Sequence, residues 1–376
     1  MAYHKGISFR TPITILFIWM LLTAFLPLNA LSGEEQAHHE AASHEAEKGG
    51  FNAGEVIIEH IVDAYEWHIL SLGEFHLSVP FPVILYDEGQ WHVFMASHFH
   101  HGHEAYKGFE IAHEGKYKGK IIRRAEDGTE IRPIDLSITK NVFSIFVASA
   151  LIIIIFMGVA KAYRRTRKHA PKGLQSILEP LIVFIRDEIA RTSIGEKNYE
   201  RFLPYLLTVF FFIFFNNLLG IIPIFPGGAN VTGNIGVTAV LALFTFFITA
   251  LRGNKNYWMH IFNTPGVPWW LKFPLPLMPI IELVGVFTKP FVLMVRLFAN
   301  ITAGHIIILG FISLIFVFGQ SSLYAGYGIS VISISLSIFI FFLELLVAFI
   351  QAYVFTLLSA IYFGMATEEH HHEEQH

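Results

Sequence analysis

The chain has 376 residues, 53% of them hydrophobic and only 15% Asp, Glu, Lys or Arg, where an ordinary soluble domain carries about 25% charged residues. Only seven charges fall between Phe202 and Ala366, namely Arg252, Lys255, Lys272, Glu282, Lys289, Arg296 and Glu344, and no soluble enzyme can be built with that surface. The net charge of −4 offers no basic excess for nucleic acid, and the absence of cysteine removes disulfides, thiolate catalysis and Cys-ligated metals.

Residues 1–32 read as a secretion signal or an uncleaved N-terminal anchor. Lys5 and Arg10 precede the apolar run Ile13 to Leu26, and small residues follow at Ala30 and Ser32. An apolar run of about 7–15 residues before a small-residue site suits a signal, whereas a span needs roughly 20. Both readings put residues 33–138 outside the cytoplasm as an extension. Thirteen of the twenty histidines lie between His4 and His113. The stretch GEEQAHHEAASHEAEKGG (33–50) is acidic, His-rich and poor in large apolar side chains, the composition of a disordered tether. From Glu55 to Ile138, pieces such as HLSVPFPVILYD and QWHVFMASHF predict a small mixed or β unit, with a turn at Asp127-Gly128.

Residues 139–367 read as an all-α polytopic membrane domain. Asn141 to Ala160 is uncharged and is followed by Lys161, Arg164, Arg165, Arg167, Lys168 and Lys172, a cluster that the positive-inside rule places in the cytoplasm. Residues 173–195 mix charges with Ile177, Leu181, Ile182, Phe184, Ile185 and Ile189 at roughly helical spacing. That pattern predicts an amphipathic helix on the cytoplasmic membrane face. Phe202 to Leu251 lacks formal charge and is broken by IPIFPGGANVTGN (222–234), so it reads as a helical hairpin. The basic loop from Arg252 to Lys272 belongs inside. Two long apolar segments follow, Pro276 to Phe318 and Ile329 to Met365, joined by GQSSLYAGYG. About five crossings and one surface helix result, with residues 368–376 as a cytoplasmic tail.

A charge at the bilayer centre costs about 2.5–3.5 kcal/mol on insertion scales and is kept for a reason. Glu282, Lys289 and Arg296 recur every seven residues, a spacing that drifts only about 20° per step and makes one stripe. Asn300 and Gly304 continue it, Pro290 predicts a bend, and His305 points away from Arg296. Glu344 and Gln351 share a face of the last helix. Glu282 and Lys289 have an alternative as interfacial side chains, Lys289 reaching toward headgroups, and His305 taken alone reads as a core histidine with Glu344 as its partner. The set as a whole, in two adjacent helices, reads as an ion path.

KPFVLMVRLFANITAGH (289–305), LELLVAFIQAYVFTLLSAIYFGMA (343–366) and NNLLGIIP (216–223) resemble subunit a of the rotary F-type ATP synthase, of the bacterial type. The likeness covers roughly Ser137 to Ala366. It implies an ion-channel stator subunit that is not an enzyme on its own, needs no cofactor, and sits multi-pass in the bacterial inner membrane. Its partners would be the ring of c subunits, against which the last two helices form a hairpin, the b-subunit peripheral stalk and the lipid bilayer. Arg296 matches the essential arginine that meets each ring carboxylate, Gln351 the glutamine close to it, and Asn300 a polar neighbour. Glu282 matches an acid of the cytoplasmic half-channel, and His305 and Glu344 two positions of the outer one. Some members carry acid and histidine there in the reverse order, and some carry an acid where this chain has Gly220.

A rival class, the self-contained secondary transporter, would use the same polar residues as a substrate site and predicts inverted repeats, which the sequence lacks. Separately, His98, His100, His101 and His103 could ligate Zn²⁺ or Cu²⁺, or form a solvent-exposed, proton-buffering loop.

Overall fold

The computed structural model of the chain describes residues 51–72, 75–102, 104–125, 128–165, 171–262 and 277–368. The signal or anchor, the tether, His103, Asp127, Arg167 and Lys168, Lys272 and the tail from 369 lie outside the described residues.

The extension opens with α1 (Ala53–Ile61), capped by Asn52, whose side chain accepts from the Glu55 amide at 3.3 Å. Eight short strands follow among the described residues. β1 (Glu66–Leu72) pairs with β2 (Phe75–Pro80). β3 (Pro82–Asp87) lies between β4 (Gln90–Met95) and β8 (Ile134–Asp135). β5 (Phe109–Ile111), β6 (Ile121–Arg124) and β7 (Glu130–Ile131) form a third sheet, all pairings being antiparallel. The two pieces expected to be extended are β2 to β4. Alternation along β3 buries Val83 and Leu85 fully, as a strand with one face on a core requires.

This unit is fastened to the membrane part. Asp63 accepts from the Thr139 hydroxyl at 2.7 Å and from the Asn141 amide at 3.0 Å, anchoring the start of α2 (Lys140–Arg165). Trp67 and Phe81 of the unit meet Phe143 and Phe225 of the membrane part in three ring contacts with centroids 5.0–6.1 Å apart. Each is worth about 0.5–1.5 kcal/mol beyond area burial, enough together to hold a small unit in place.

Among the described residues, five helices are long and apolar enough to cross a membrane. They are α2, α5 (Tyr199–Ile221), α6 (Ile235–Arg252), α8 (Leu277–Ser321) and α9 (Leu323–Thr367). Within their most apolar windows, 72% of α5 is buried but only 11% of α8 and 17% of α9. The Phe-rich α5 is therefore the centre of the bundle, apolar on all sides because neighbours cover all sides. The α8–α9 hairpin keeps most of its surface uncovered. At 45 residues each, these helices are about 67 Å long by the 1.5 Å rise. An apolar helix of that length stays within an about 30 Å hydrocarbon layer only if it is strongly inclined.

The helix expected over 173–195 appears in three parts that are not among the five. α3 (Leu174–Phe184) passes into a π-helix (Ile185–Arg191) and then α4 (Thr192–Ile194). The wider π turn rotates the buried face. Ile185 and Ile189 are fully buried, whereas Ile177, expected on the same stripe, is 64% exposed. Two further differences concern connections. The segment joining the last two helices is almost entirely helical, with Ser322 alone extended between them. Gly326 makes that possible, since a Cβ there would stand 2.9 Å from Gly319 Cα. The basic inner loop contains α7 (Lys255–Phe262), and Asn254 of that loop donates its amide to the Ala366 carbonyl at 2.9 Å, tying it to the end of α9. α8 itself runs unbroken through Pro290.

Candidate functional site

The polar residues of α8 face two directions. His305 turns to α9, where its Nδ1 stands 2.5 Å from Oε1 of Glu344, with the two side chains 14% and 3% exposed. The two atoms are in direct polar contact, although neither meets hydrogen-bond geometry. Gly304 permits it, because a Cβ there would stand 3.0 Å from the same Oε1. The second imidazole nitrogen looks toward α5. Nε2 lies 3.8 Å from the point where a Cβ of Gly220 would stand, and the Ala229 carbonyl oxygen lies 3.0 Å from that point. His305 thus has one nitrogen on a carboxylate and the other facing the Gly220 backbone of α5. An imidazole so placed can take a proton on one side and release it on the other.

Against Gly220 packs the segment 222–234, through its Ala229 carbonyl. Its outer part is exposed at Ile224, but Ala229, Asn230, Val231 and Thr232 are each 1% exposed. The loop therefore dips back into the bundle. The Thr302 hydroxyl reaches the Gly233 carbonyl at 3.5 Å, Thr232 donates to Asn217 Oδ1 at 2.5 Å, and Asn217 Nδ2 donates to the Ala348 carbonyl at 3.4 Å.

Arg296 lies nine residues before His305, half a revolution around the helix. It is exposed, as is Asn300. Among the described residues no carboxylate pairs with Arg296. Gln351 is buried on α9, 6% exposed, on the stripe that also carries Glu344 and Ala348. No hydrogen bond joins Gln351 to Arg296 or Asn300 among the described residues.

Toward the other end of α8, Lys289 places its ammonium 5.6 Å from the centre of the Tyr362 ring of α9, a cation–π arrangement that holds it against protein. Glu282 is partly buried, and its charge reaches Tyr257 of α7. Burial first, and the Glu282 charge second, push the Tyr257 phenol above its ordinary pKa. Tyr257, Lys289, Tyr362, Thr245 and Thr249 line a narrow cleft. Behind it, Thr245 Oγ1 is 2.8 Å from the Tyr205 hydroxyl and 3.2 Å from Ser359 Oγ, a hydroxyl chain across α5, α6 and α9. Sequence reading missed Tyr205, Thr245, Tyr257 and Ser359, because uncharged hydroxyls do not stand out in a span. Asn230 was equally inconspicuous within a loop.

The histidines of the extension diverge. His98 stacks on Tyr106 with centroids 4.2 Å apart, His100 Nε2 is 3.7 Å from Glu104, and His101 Nδ1 is 2.9 Å from Glu66. Among the described residues no group of three or more His, Asp or Glu is placed to hold a metal.

The sequence profile of the family described as ATP synthase A chain matches residues 142–364. A second profile, described as a domain of unknown function, matches residues 56–138. The chain is similar to ATP synthase subunit a 2 of Prosthecochloris aestuarii, at 38% identity over 99% of this chain and 97% of the relative. It is similar to ATP synthase subunit a 2 of Chlorobium luteolum, at 40% over 89% and 80%. It is also similar to ATP synthase subunit a of Chloroherpeton thalassium, at 44% over 66% and 72%. The first of these alignments takes in the extension as well as the helices.

Proposed function

Because the chain belongs to the ATP synthase A chain family, the proton-translocating stator part of the F-type ATP synthase, we propose that it supplies two offset proton half-channels and couples flow through them to rotation of a c-ring. It is a multi-pass membrane subunit of that complex and not a catalytic enzyme by itself. In this reading the extension faces outward and the C-terminus faces the cytoplasm. The c-ring packs on the uncovered α8–α9 hairpin, and a b-subunit stalk holds the chain against rotation.

A proton from outside reaches Nε2 of His305, leaves from Nδ1 to Glu344, and neutralises a ring carboxylate. The neutral carboxyl then turns through lipid without the cost of a buried charge. After nearly a full turn it meets the cleft near Glu282, Lys289 and Tyr257 and releases its proton inward. Arg296 keeps the two routes apart: its guanidinium stays protonated and cannot relay a proton, yet it attracts each arriving carboxylate. Gln351 and Asn300 offer polar contacts on either side of that encounter.

The observation that carries this reading is the exposed Arg296 on an apolar helix with no carboxylate partner among the described residues. An unpaired charge facing the bilayer centre costs about 2.5–3.5 kcal/mol, so its counter-ion belongs to another subunit. Arg296→Ala in the assembled complex should abolish ATP-driven acidification of inverted vesicles while the c-ring still copurifies. Undiminished pumping by that variant would refute the role.

A further inference from the structure

The outer end of α8 reaches beyond the helices that hold its middle. α5 ends at Ile221, and its Gly220 stands beside His305. α6 begins at Ile235, just after Gly233, whose carbonyl meets the Thr302 hydroxyl at 3.5 Å. Residues 306–321 of α8 therefore lie past both helix ends, about 24 Å of helix by the 1.5 Å rise. Ser322 alone joins them to an equally uncovered α9. A ring turning against this hairpin pushes it sideways, and a helix pair held at one end yields most at its free end.

The extension meets that projecting part. Its helix α1 packs on α8, and the ring of Phe51, just before α1, stands 5.1 Å from the ring of Phe316, tilted by 33°. Ala53, Val56, Ile57 and Ile61 are half-buried along one face of α1, whereas Gly54 and Glu55 are exposed. The far end of α1 is fixed to α2. Lys140, 7% exposed, donates its ammonium to the His60 carbonyl at 3.1 Å, in the last turn of α1, where a helix carries partial negative charge. The Lys140 amide donates to the Ala64 carbonyl at 2.8 Å, beside the two bonds of Asp63. α2 in turn packs on α5, the buried centre of the bundle.

We propose that the extension, whose residues 56–138 match the domain of unknown function, is a brace. Through α1 it ties the projecting end of the α8–α9 hairpin to the root of α2 and resists the sideways drag of the ring. The hairpin then keeps its distance from the passing ring carboxylates while the ring turns. This rests on the stator reading of the chain. Phe51, Phe316 and Lys140 are positioning residues, acting through the hairpin they hold.

The test uses the assembled complex in inverted membrane vesicles, with ATP hydrolysis and ATP-driven acidification read on the same sample. Phe51→Ala should lower acidification per ATP hydrolysed at least about twofold, the factor by which loss of one aromatic contact weakens a docked state. Hydrolysis should continue, because the ring still turns but meets a hairpin that gives way. Phe316→Ala should act alike, and the double variant should be no worse than either single one, since both cut the same contact. The chain has no cysteine, so Phe51→Cys with Phe316→Cys adds its only two thiols. Linking them with a short membrane-permeant bismaleimide should restore acidification per ATP. An unchanged ratio in Phe51→Ala overturns the brace, as does a linked pair that stays as impaired as the unlinked one. Additive losses in the double variant, or a pair that fails to link in the assembled complex, overturn it too. Arg296→Ala separates the two levels: undiminished pumping there overturns the stator reading, whereas lost pumping there with an unaltered Phe51→Ala ratio overturns only the brace.

Discussion

Gly304 and Gly310 lie on the same helix, and their replacement by alanine makes a matched pair. Alanine raises helix propensity at each position by about 1 kcal/mol. At Gly310 the added Cβ meets nothing within 4 Å, whereas at Gly304 it stands 3.0 Å from Glu344 Oε1, with ordinary contact beginning at 3.4 Å. The neighbouring atom is the end of a flexible side chain, so the carboxylate yields by about 0.4 Å and is pushed off the imidazole it faces. A misplacement of about 1 Å can cost on the order of a hundredfold in a positioned reaction, so a few tenths should cost about three- to tenfold. Both variants should melt at or above the parent temperature. ATP-driven acidification of inverted vesicles, normalised to assembled complex, should drop in Gly304→Ala alone. Equal rates for the two variants would sink the claim that the His305–Glu344 contact is on the proton path.

Exchanging the pair, His305→Glu with Glu344→His, should impair pumping less than either single alanine replacement; damage equal to the double alanine variant would refute a working pair. Gly364→Ala should be among the most damaging glycine changes, because its Cβ would stand 2.0 Å from the Ser193 carbonyl oxygen, a backbone atom. Overpacking of that kind costs about 1–3 kcal/mol or more, and an unchanged melting temperature of the complex would contradict it. In the extension, the buried Tyr65 hydroxyl donates to Asp135, and burial and then the Asp135 charge raise its pKa well above the ordinary value of 10.0. The unfolded chain releases that proton first as pH rises, so the stability Tyr65 contributes is whole below pH about 10 and is lost above it. Tyr65→Phe should lower stability by about 1–3 kcal/mol at neutral pH and flatten the alkaline decline, read from melting curves between neutral and strongly alkaline pH. A variant with the parent's alkaline slope would contradict this assignment.

Much of the architecture was legible because hydrophobicity along a chain is a direct record of where lipid is. The hairpin of α5 and α6 breaks at 222–234 as IPIFPGGANVTGN implied, since Pro and Gly there end both helices. The strands β2 to β4 follow their alternating pieces. The stripe around Ile177 was less readable, because a π turn shifts the buried face in a way that a 3.6-residue period does not anticipate. The junction at Ser322 was hidden for a different reason. GQSSLYAGYG has loop composition, yet close packing of Gly319 on Gly326 lets both helices continue through it.

By itself the sequence determined the membrane class, the number of crossings, and which polar residues lie where polar residues are expensive. Those are one-dimensional properties: composition against bilayer thickness, and angle around a helix. Periodicity names the face a residue occupies but not what stands opposite. Only the tertiary structure decided that His305 offers Nδ1 to Glu344 and turns Nε2 toward Gly220, that Lys289 rests on Tyr362, and that a loop of uncharged residues turns inward to bury Asn230. Each of these joins segments tens of residues apart, and their meeting depends on how helices pack, which no local pattern records.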